Sequence, residues 1–267
     1  MKIATWNVNS INARLEILIP WLKKEDPDIL LLQELKCTEE NFPYEAFNEL
    51  PYELIISGQK AYNGVAILSK FASQEKKITF ENNPHYNEAR FLEVKINTPL
   101  GKTTIISLYA PNGGEVKSEK YYTKLKFFEY FQKYLKILLK NKKYNEFIIV
   151  GGDFNIAKEE IDVCDPEKWQ HNTAFTMEER RIMRSILNIG FTDLFRITEP
   201  KKQEFTWYDY RKKLDIKQGL RIDYIIASTN TCLYLHKFDT QKNLLNSSRP
   251  SDHVPCIAHL EQIKNLF

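Results

Sequence analysis

The chain has 267 residues, 43% of them hydrophobic and 27% charged, with 9 glycines and 11 prolines. This usage excludes collagen-like, linker-dominated and extensively disordered architectures and supplies apolar residues for one large core or two small ones. The 38 Lys and Arg against 35 Asp and Glu leave a formal charge of +3, too small by itself to single out a polyanionic partner.

The predicted elements follow in chain order. Residues 3–8 form a first strand, and residues 14–24 a helix with Leu15, Leu18 and Leu22 on one face, stopping before Pro27. Residues 29–32 are apolar without alternation, which predicts a strand covered on both faces. Strands at 65–68, 91–96 and 104–109 follow, the last two separated by a short turn with Pro99 and Gly101 and so paired antiparallel. Residues 119–140 read as a long helix burying Tyr121, Leu125, Phe128, Phe131, Leu135 and Leu138, with lysines opposite. A second doubly covered strand lies at 147–150. A capping box, Thr176 to Glu179, then opens a helix that buries Ile182, Ile186 and Leu187 and ends at Gly190. Strands at 222–227 and 254–260 close the pattern. No linker, repeat or low-complexity run divides the chain, so residues 1–267 are expected to form one domain. Two sheets face to face with helices outside give an α/β fold, a four-layer α/β/β/α sandwich of two mainly antiparallel sheets flanked by helices.

Cys37, Cys164, Cys232 and Cys256 lie far apart without a CxxC pair, which points to a reduced, cytoplasmic protein. No signal peptide opens the chain and no apolar run is long enough to span a membrane. Charge is uneven. Residues 117–143 hold nine lysines against Glu119 and Glu129, and residues 25–53 hold nine acids against Lys36. Solvated helix faces explain this polarity as readily as a phosphate backbone does.

Polar residues interrupt the strand ends in an informative way. Asn7 ends the first cluster, Glu34 follows Leu32 and Gln33, Tyr109 ends its strand, and Asp153 and Asn155 follow 148–150 through two glycines. Asp223 lies within Arg221-Ile222-Asp223-Tyr224, and Ser251-Asp252-His253 precedes the last strand. Each alone is an ordinary turn residue. An acid or amide at the ends of at least five strands, all able to meet at one rim, needs more than turn chemistry. The carboxylates of Glu34 and Asp153 with the amides of Asn7 and Asn155 suit a hard cation such as Mg²⁺ or Mn²⁺ better than zinc. With a histidine, His253, oriented by Asp223 or Asp252, the set reads as metal-assisted attack of water on phosphorus. Rival motifs are incomplete: Ser57-Gly58-Gln59-Lys60 lacks the companion elements of a serine acylase, and Gly101-Lys102-Thr103 lacks the first glycine of a Walker loop.

The same positions resemble the exonuclease III family of apurinic/apyrimidinic endonucleases, in its bacterial branch, within the wider endonuclease, exonuclease and phosphatase superfamily. The motifs are Thr5-Trp6-Asn7-Val8-Asn9-Ser10, Leu32-Gln33-Glu34-Leu35-Lys36, Asn63-Gly64-Val65-Ala66-Ile67-Leu68-Ser69, Tyr109-Ala110-Pro111-Asn112 and Gly152-Asp153-Phe154-Asn155-Ile156-Ala157. They continue with Thr206-Trp207-Tyr208-Asp209-Tyr210-Arg211, Gly219-Leu220-Arg221-Ile222-Asp223 and Ser251-Asp252-His253-Val254-Pro255. The resemblance implies the four-layer sandwich and a Mg²⁺-dependent DNA repair nuclease, with Mn²⁺ as the alternative ion. It would incise 5′ to abasic sites in double-stranded DNA and degrade or clean 3′ ends. It further implies Glu34 as principal metal ligand, with Asn7 and Asp252 contributing, a second metal site near Asp153 and Asn155 left open, and His253 among the metal-site residues. Tyr109 would contact the scissile phosphate or leaving group, Asp153 would move a proton, Asn155 would hold the nucleophile, and Asp223 would fix the tautomer of a phosphate-binding His253. The general base stays open. Asn112, Trp207, Leu220 and Ile222 would contact substrate, the last three forming an apolar slot for a flipped-out sugar without its base. Residues 196–221 carry eight basic residues against four acids, a net +4 that could lie along DNA phosphates. A monomer acting on duplex DNA, without a membrane partner, is expected. The balance between exonuclease and abasic endonuclease activity stays open, as does a phosphomonoesterase or phospholipid phosphodiesterase using the same core.

Overall fold

The strands gather into two six-stranded sheets in the computed structural model, which describes residues 1–209 and 218–261. The first sheet contains β1 (Lys2–Asn7), β2 (Ile29–Gln33), β3 (Glu53–Ser57) and β4 (Val65–Ser69), with β13 (Leu235–Thr240) and β14 (Cys256–Leu260), in the order β13-β14-β1-β2-β4-β3. The second is β5-β6-β7-β8-β12-β9, built from β5 (Ser73–Lys77), β6 (Phe91–Thr98), β7 (Gly101–Tyr109), β8 (Phe147–Asp153), β9 (Phe191–Asp193) and β12 (Asp223–Ser228). A two-stranded ribbon pairs β10 (Trp207–Tyr208) with β11 (Gly219–Leu220).

Among the described residues only two neighbouring pairs are parallel, β1 with β2 and β7 with β8. Each is joined by a helix, α1 (Ile11–Glu25) and α2 (Glu119–Asn141), because a parallel pair needs a crossover. The remaining described helices are α3 (Pro166–Trp169), α4 (Met177–Asn188) and α5 (Leu194–Thr198).

The apolar runs without alternation have the cause the pattern suggested. Ile29 and Leu31 enter the core between the sheets with Ile3, Leu92, Val94, Ile105, Ile149 and Ile225. Leu30 and Leu32 point the other way and pack with Leu18, Trp21 and Leu22 of α1. On the second sheet Ile148 and Val150 face Phe127, Phe128 and Phe131 of α2 and Met183 and Ile186 of α4, while Ile149 enters the central core. The layers are therefore α/β/β/α, as expected.

Several details depart from the expectation. Helix α1 begins at Ile11, earlier than residue 14, and runs through Pro20. Six short or polar strands, β3, β5, β9, β10, β11 and β13, had no sequence signal. On α2 the buried stripe includes Lys124, fully buried, where Leu125, only partly buried, was expected. The expected hairpin over Pro99 and Gly101 and the Thr176/Glu179 capping box are both present.

Candidate active site

The topology explains why the polar strand ends meet. Asn7, Glu34, Tyr109 and Asp153 stand at or just beyond the carboxyl ends of the parallel strands β1, β2, β7 and β8. Asp223 begins the antiparallel neighbour β12 directly opposite Asp153, and Asp252 and His253 lie just before β14. Carboxyl ends of the parallel pairs and amino ends of their antiparallel neighbours thus share one rim, where open α/β sheets place ligands.

Local sequence makes the approach possible. A side chain at Gly151 would collide with Leu31 Cδ1 of the facing sheet at 2.5 Å, and one at Gly152 would lie 1.8 Å from the Leu108 carbonyl oxygen. Only glycine lets β8 run this close before Asp153. Beneath the rim a polar bridge links the sheets: Gln33 Nε2 donates to Ser107 Oγ (3.1 Å), Ser107 Oγ to the Leu32 carbonyl (3.1 Å), and Thr5 Oγ1 to Gln33 Oε1 (3.2 Å).

His253 anchors the centre. Its Nδ1 lies 2.8 Å from Asp223 Oδ2 and its Nε2 3.7 Å from Asp153 Oδ2. Its backbone is held by Ser251 Oγ and by Trp6 Nε1, which donates to the His253 carbonyl (3.0 Å). Asp153 accepts from Asn7 Nδ2 (3.0 Å) on Oδ2 and from the Asn155 N–H (2.9 Å) on Oδ1. Asn155 Nδ2 donates to the Ala110 carbonyl (2.9 Å). Burial raises the Asp153 pKa, and repulsion from Asp223 adds to it, against the opposing pull of His253. For His253 burial disfavours the charged form, but Asp223 and Asp153 outweigh it and raise its pKa. Tyr109 is held as a neutral phenol by burial and by the neighbouring charges of Glu34 and Asp153.

A second chain of contacts runs along the rim. Lys36 Nζ sits 2.9 Å from Glu34 Oε1 and donates to Asn9 Oδ1 (2.5 Å). Asn9 Nδ2 donates to Asp252 Oδ1 (2.8 Å) and Trp207 Nε1 to Asp252 Oδ2 (3.1 Å). Burial opposes ionisation of Asp252, but His253, Asn9 and Trp207 outweigh it and hold its carboxyl below the ordinary aspartate value.

Most expected residues line one cavity of about 710 Å³: Glu34, Tyr109, Asn112, Asp153, Asn155, Trp207, Leu220, Ile222, Asp252 and His253. Asn7 and Asp223 join it through their hydrogen bonds to Asp153 and His253. The apolar wall is built by the β10/β11 ribbon, which sets Trp207 opposite Leu220 and packs both with Ile222, Val163, Ala174 and Phe175.

Sequence reasoning missed Trp169, whose ring meets Trp207 edge-on at 6.3 Å, and Arg90, whose guanidinium lies 4.9 Å from the Tyr109 ring centre. Trp169 lies away from every expected strand end. Arg90 directly precedes the strand at 91–96 but is neither an acid nor an amide, the signal that marks the other candidates. Two members of the basic stretch 196–221 do not face outward. Arg196 and Arg221 are turned inward onto Asp162, and Arg221 also onto Asp193 (2.8 Å). Buried carboxylates, not solvent, are their partners. Tyr210, Arg211, Lys212, Lys213 and Lys217 lie outside the described residues.

Among described residues, Asp153, Asp223 and His253 present potential ligand atoms within 4.8 Å of one another. A rim that joins paired carboxylates, a carboxylate-oriented histidine and an apolar slot defines a hydrolase site. The comparisons agree. A model of the Endonuclease/Exonuclease/phosphatase family matches residues 4–253. Exodeoxyribonuclease III of Haemophilus influenzae is 32% identical over 273 residues, covering 98% of this chain and 100% of that protein. The structure of an AP endonuclease from Archaeoglobus fulgidus superposes with a TM-score of 0.92 at 36% identity, covering 98% of this chain and 100% of its own. The 3′ phosphatase NExo from Neisseria, solved bound to a product DNA hairpin, gives a TM-score of 0.91 at 33% identity over 98% of this chain and 100% of its own. The chain belongs to the endonuclease/exonuclease/phosphatase family, as a nuclease.

Proposed function

We propose that this nuclease is a divalent-metal-dependent DNA repair enzyme. It hydrolyses the phosphodiester 5′ to abasic sites in duplex DNA and carries 3′ to 5′ exonuclease and 3′ end-cleaning activity. One observation carries the reading: His253, paired with Asp223 behind it, Asp153 and the apolar wall of Trp207, Leu220 and Ile222 line a single cavity, Asp223 reaching it only through His253. A baseless sugar has already lost stacking and pairing, so it is easily extruded into such a slot.

The donor set fits a hard cation. The oxygens of Glu34, Asp153, Asp252, Asn7 and Asn155 would hold it, with His253 beside them. Glu34 already holds the Lys36 ammonium, and Asp223 Oδ1 is buried without a hydrogen-bond partner. Mg²⁺, with Mn²⁺ as the alternative, would supply charge stabilisation for the nonbridging phosphate oxygens. The chain's own residues do the rest. Asp223 accepts the Nδ1–H of His253, and the imidazolium that Asp223 and Asp153 favour carries a second proton on Nε2 for a phosphate oxygen. Asp153 would move the proton of the water or leaving oxygen, and the Asn155 N–H keeps its carboxylate aimed. Tyr109 donates from its neutral hydroxyl to the phosphate or leaving oxygen.

Residues 1–267 act in this reading as one domain, as a monomer in the cytoplasm; no described helix is long and apolar enough to cross a membrane. A duplex carrying one abasic analogue tests it. With Mg²⁺ a single nick forms 5′ to the lesion, and chelator abolishes it. Failure to nick overturns the assignment, and hydrolysis of inositol phosphates without DNA cleavage would replace it with a phosphatase.

A further inference from the structure

Helix α2 carries a lysine on the stripe that buries its phenylalanines. Lys124 is fully buried, and its ammonium has three acceptors for its three protons: the backbone carbonyls of Asn112 (3.1 Å) and Asn155 (2.7 Å) and the carboxylate of Glu179. Glu179, also fully buried, accepts from the N–H groups of Ala174 and Thr176 (both 3.0 Å) and from the hydroxyls of Thr176 (2.8 Å) and Thr173 (3.3 Å). The single Thr173 hydroxyl proton is shared with the Asn112 carbonyl, which is the nearer acceptor at 2.8 Å. One ion pair therefore ties together the loop after β7, the loop after β8 and the 172–174 wall, all of which border the active cavity.

An apolar residue at position 124 would fill the space but leave the part-buried Asn155 carbonyl without this donor and the Asn112 carbonyl with the Thr173 hydroxyl alone, a cost that the lysine avoids. The tethered loops are the ones whose placement chemistry needs. Asn155 has a left-handed backbone (φ 51°), and its N–H is the donor that aims the Asp153 carboxylate.

We propose that Lys124, together with Glu179, is a positioning residue for hydrolysis: it holds Asn112 and Asn155, and through Asn155 the Asp153 carboxylate, in the geometry the reaction requires. The inference rests on the hydrolytic reading above, and its test separates the two. The double variant Lys124→Met/Glu179→Gln removes both charges, while the side-chain amide oxygen introduced at position 179 can still accept from the N–H and hydroxyl of Thr176, which meet the same carboxylate oxygen in the wild type. After thermal melting shows the variant folded at the assay temperature, kcat and KM are measured on the abasic duplex at saturating Mg²⁺. Amide hydrogen exchange of residues 110–114 and 153–157 is followed in parallel.

The expected result is a fall in kcat of about tenfold or more with KM within about threefold, as for a small misplacement of reacting groups. Exchange should rise in both loops and stay unchanged in the strands behind them. Wild-type kcat in the folded variant, or unchanged exchange in both loops, overturns the proposal. Should the double variant not fold, Lys124→Gln is measured in the same way with the same criteria. If the wild-type enzyme itself leaves the duplex intact, the functional reading fails, and hydrogen exchange alone decides whether Lys124 positions the loops.

Discussion

Glu34 stands in the left-handed backbone region at φ 59°, and Lys36 and Asn155 do the same at φ 56° and φ 51°. For residues other than glycine this conformation costs about 1–2 kcal/mol each, and such strain gathers where surrounding structure holds a group for function. Here the Lys36 N–H is bonded to the Asn63 carbonyl and the Leu35 N–H to the Gly64 carbonyl, so the loop after β2 is fixed by its neighbour before β4. Glu34→Ala removes the carboxylate, and His253→Ala the proton donor held by Asp223. Each is expected to slow single-turnover cleavage about 100-fold or more while duplex affinity changes only a few-fold. Filter binding beside the cleavage assay checks the split, and equal loss of both would place these residues in folding or binding instead. That these positions meet at one cavity was legible in the sequence, because a polar residue at the end of an apolar strand stands out. Lys124 was not legible: on a lysine-rich helix its burial depends on Glu179, 55 residues away.

At the level of elements, long strands with two covered faces were readable because a short, continuous apolar run such as 29–32 is stable only where layers cover it on both sides. The missed strands lack that signal. β5 (sequence SQEKK) is mostly exposed and charged, and it is a strand only because β6 offers it an edge to pair with. β10 and β11 are two residues each and exist through their mutual pairing, yet they place Trp207 against Leu220. Gly152 is the element-scale counterpart of a catalytic residue, since it permits β8 to pair beside β7 up to Asp153. Gly152→Ala would set a methyl against the Leu108 carbonyl, and a destabilisation of about 2–3 kcal/mol or more is expected. Urea denaturation measures it; a stability within error of wild type would show that β8 can shift without cost.

Across the whole molecule, the Asp162 network joins parts distant in sequence. Arg221, between the slot residues Leu220 and Ile222, donates to Asp162 (2.7 and 3.2 Å) and Asp193 (2.8 Å), and Arg196 also meets Asp162. Burial opposes ionisation of Asp162, but the Arg221 and Arg196 guanidiniums outweigh it and hold its carboxyl below the ordinary aspartate value. A carboxylate with a lowered folded-state pKa contributes stability that is complete above about pH 4, the unfolded value, and is lost as pH falls through the folded value. The difference in urea midpoint between wild type and Asp162→Asn should therefore be widest near neutrality and shrink below about pH 4. A difference that stays constant into acid would show that the charge of Asp162 does not stabilise the fold.

By itself the amino-acid order determined the layers and the candidate residues that gather at one cavity, because both leave local marks: apolar periodicity for strands and helices, and polar residues where strands stop. Only the tertiary structure decided which partner each charge takes, turning Arg196 and Arg221 inward to Asp162, burying Lys124 against Glu179 and setting Lys36 on Glu34. The reason is physical. A side chain's charge is visible in its identity, but its solvation and its counterion depend on residues brought near it only when the sheets close on each other.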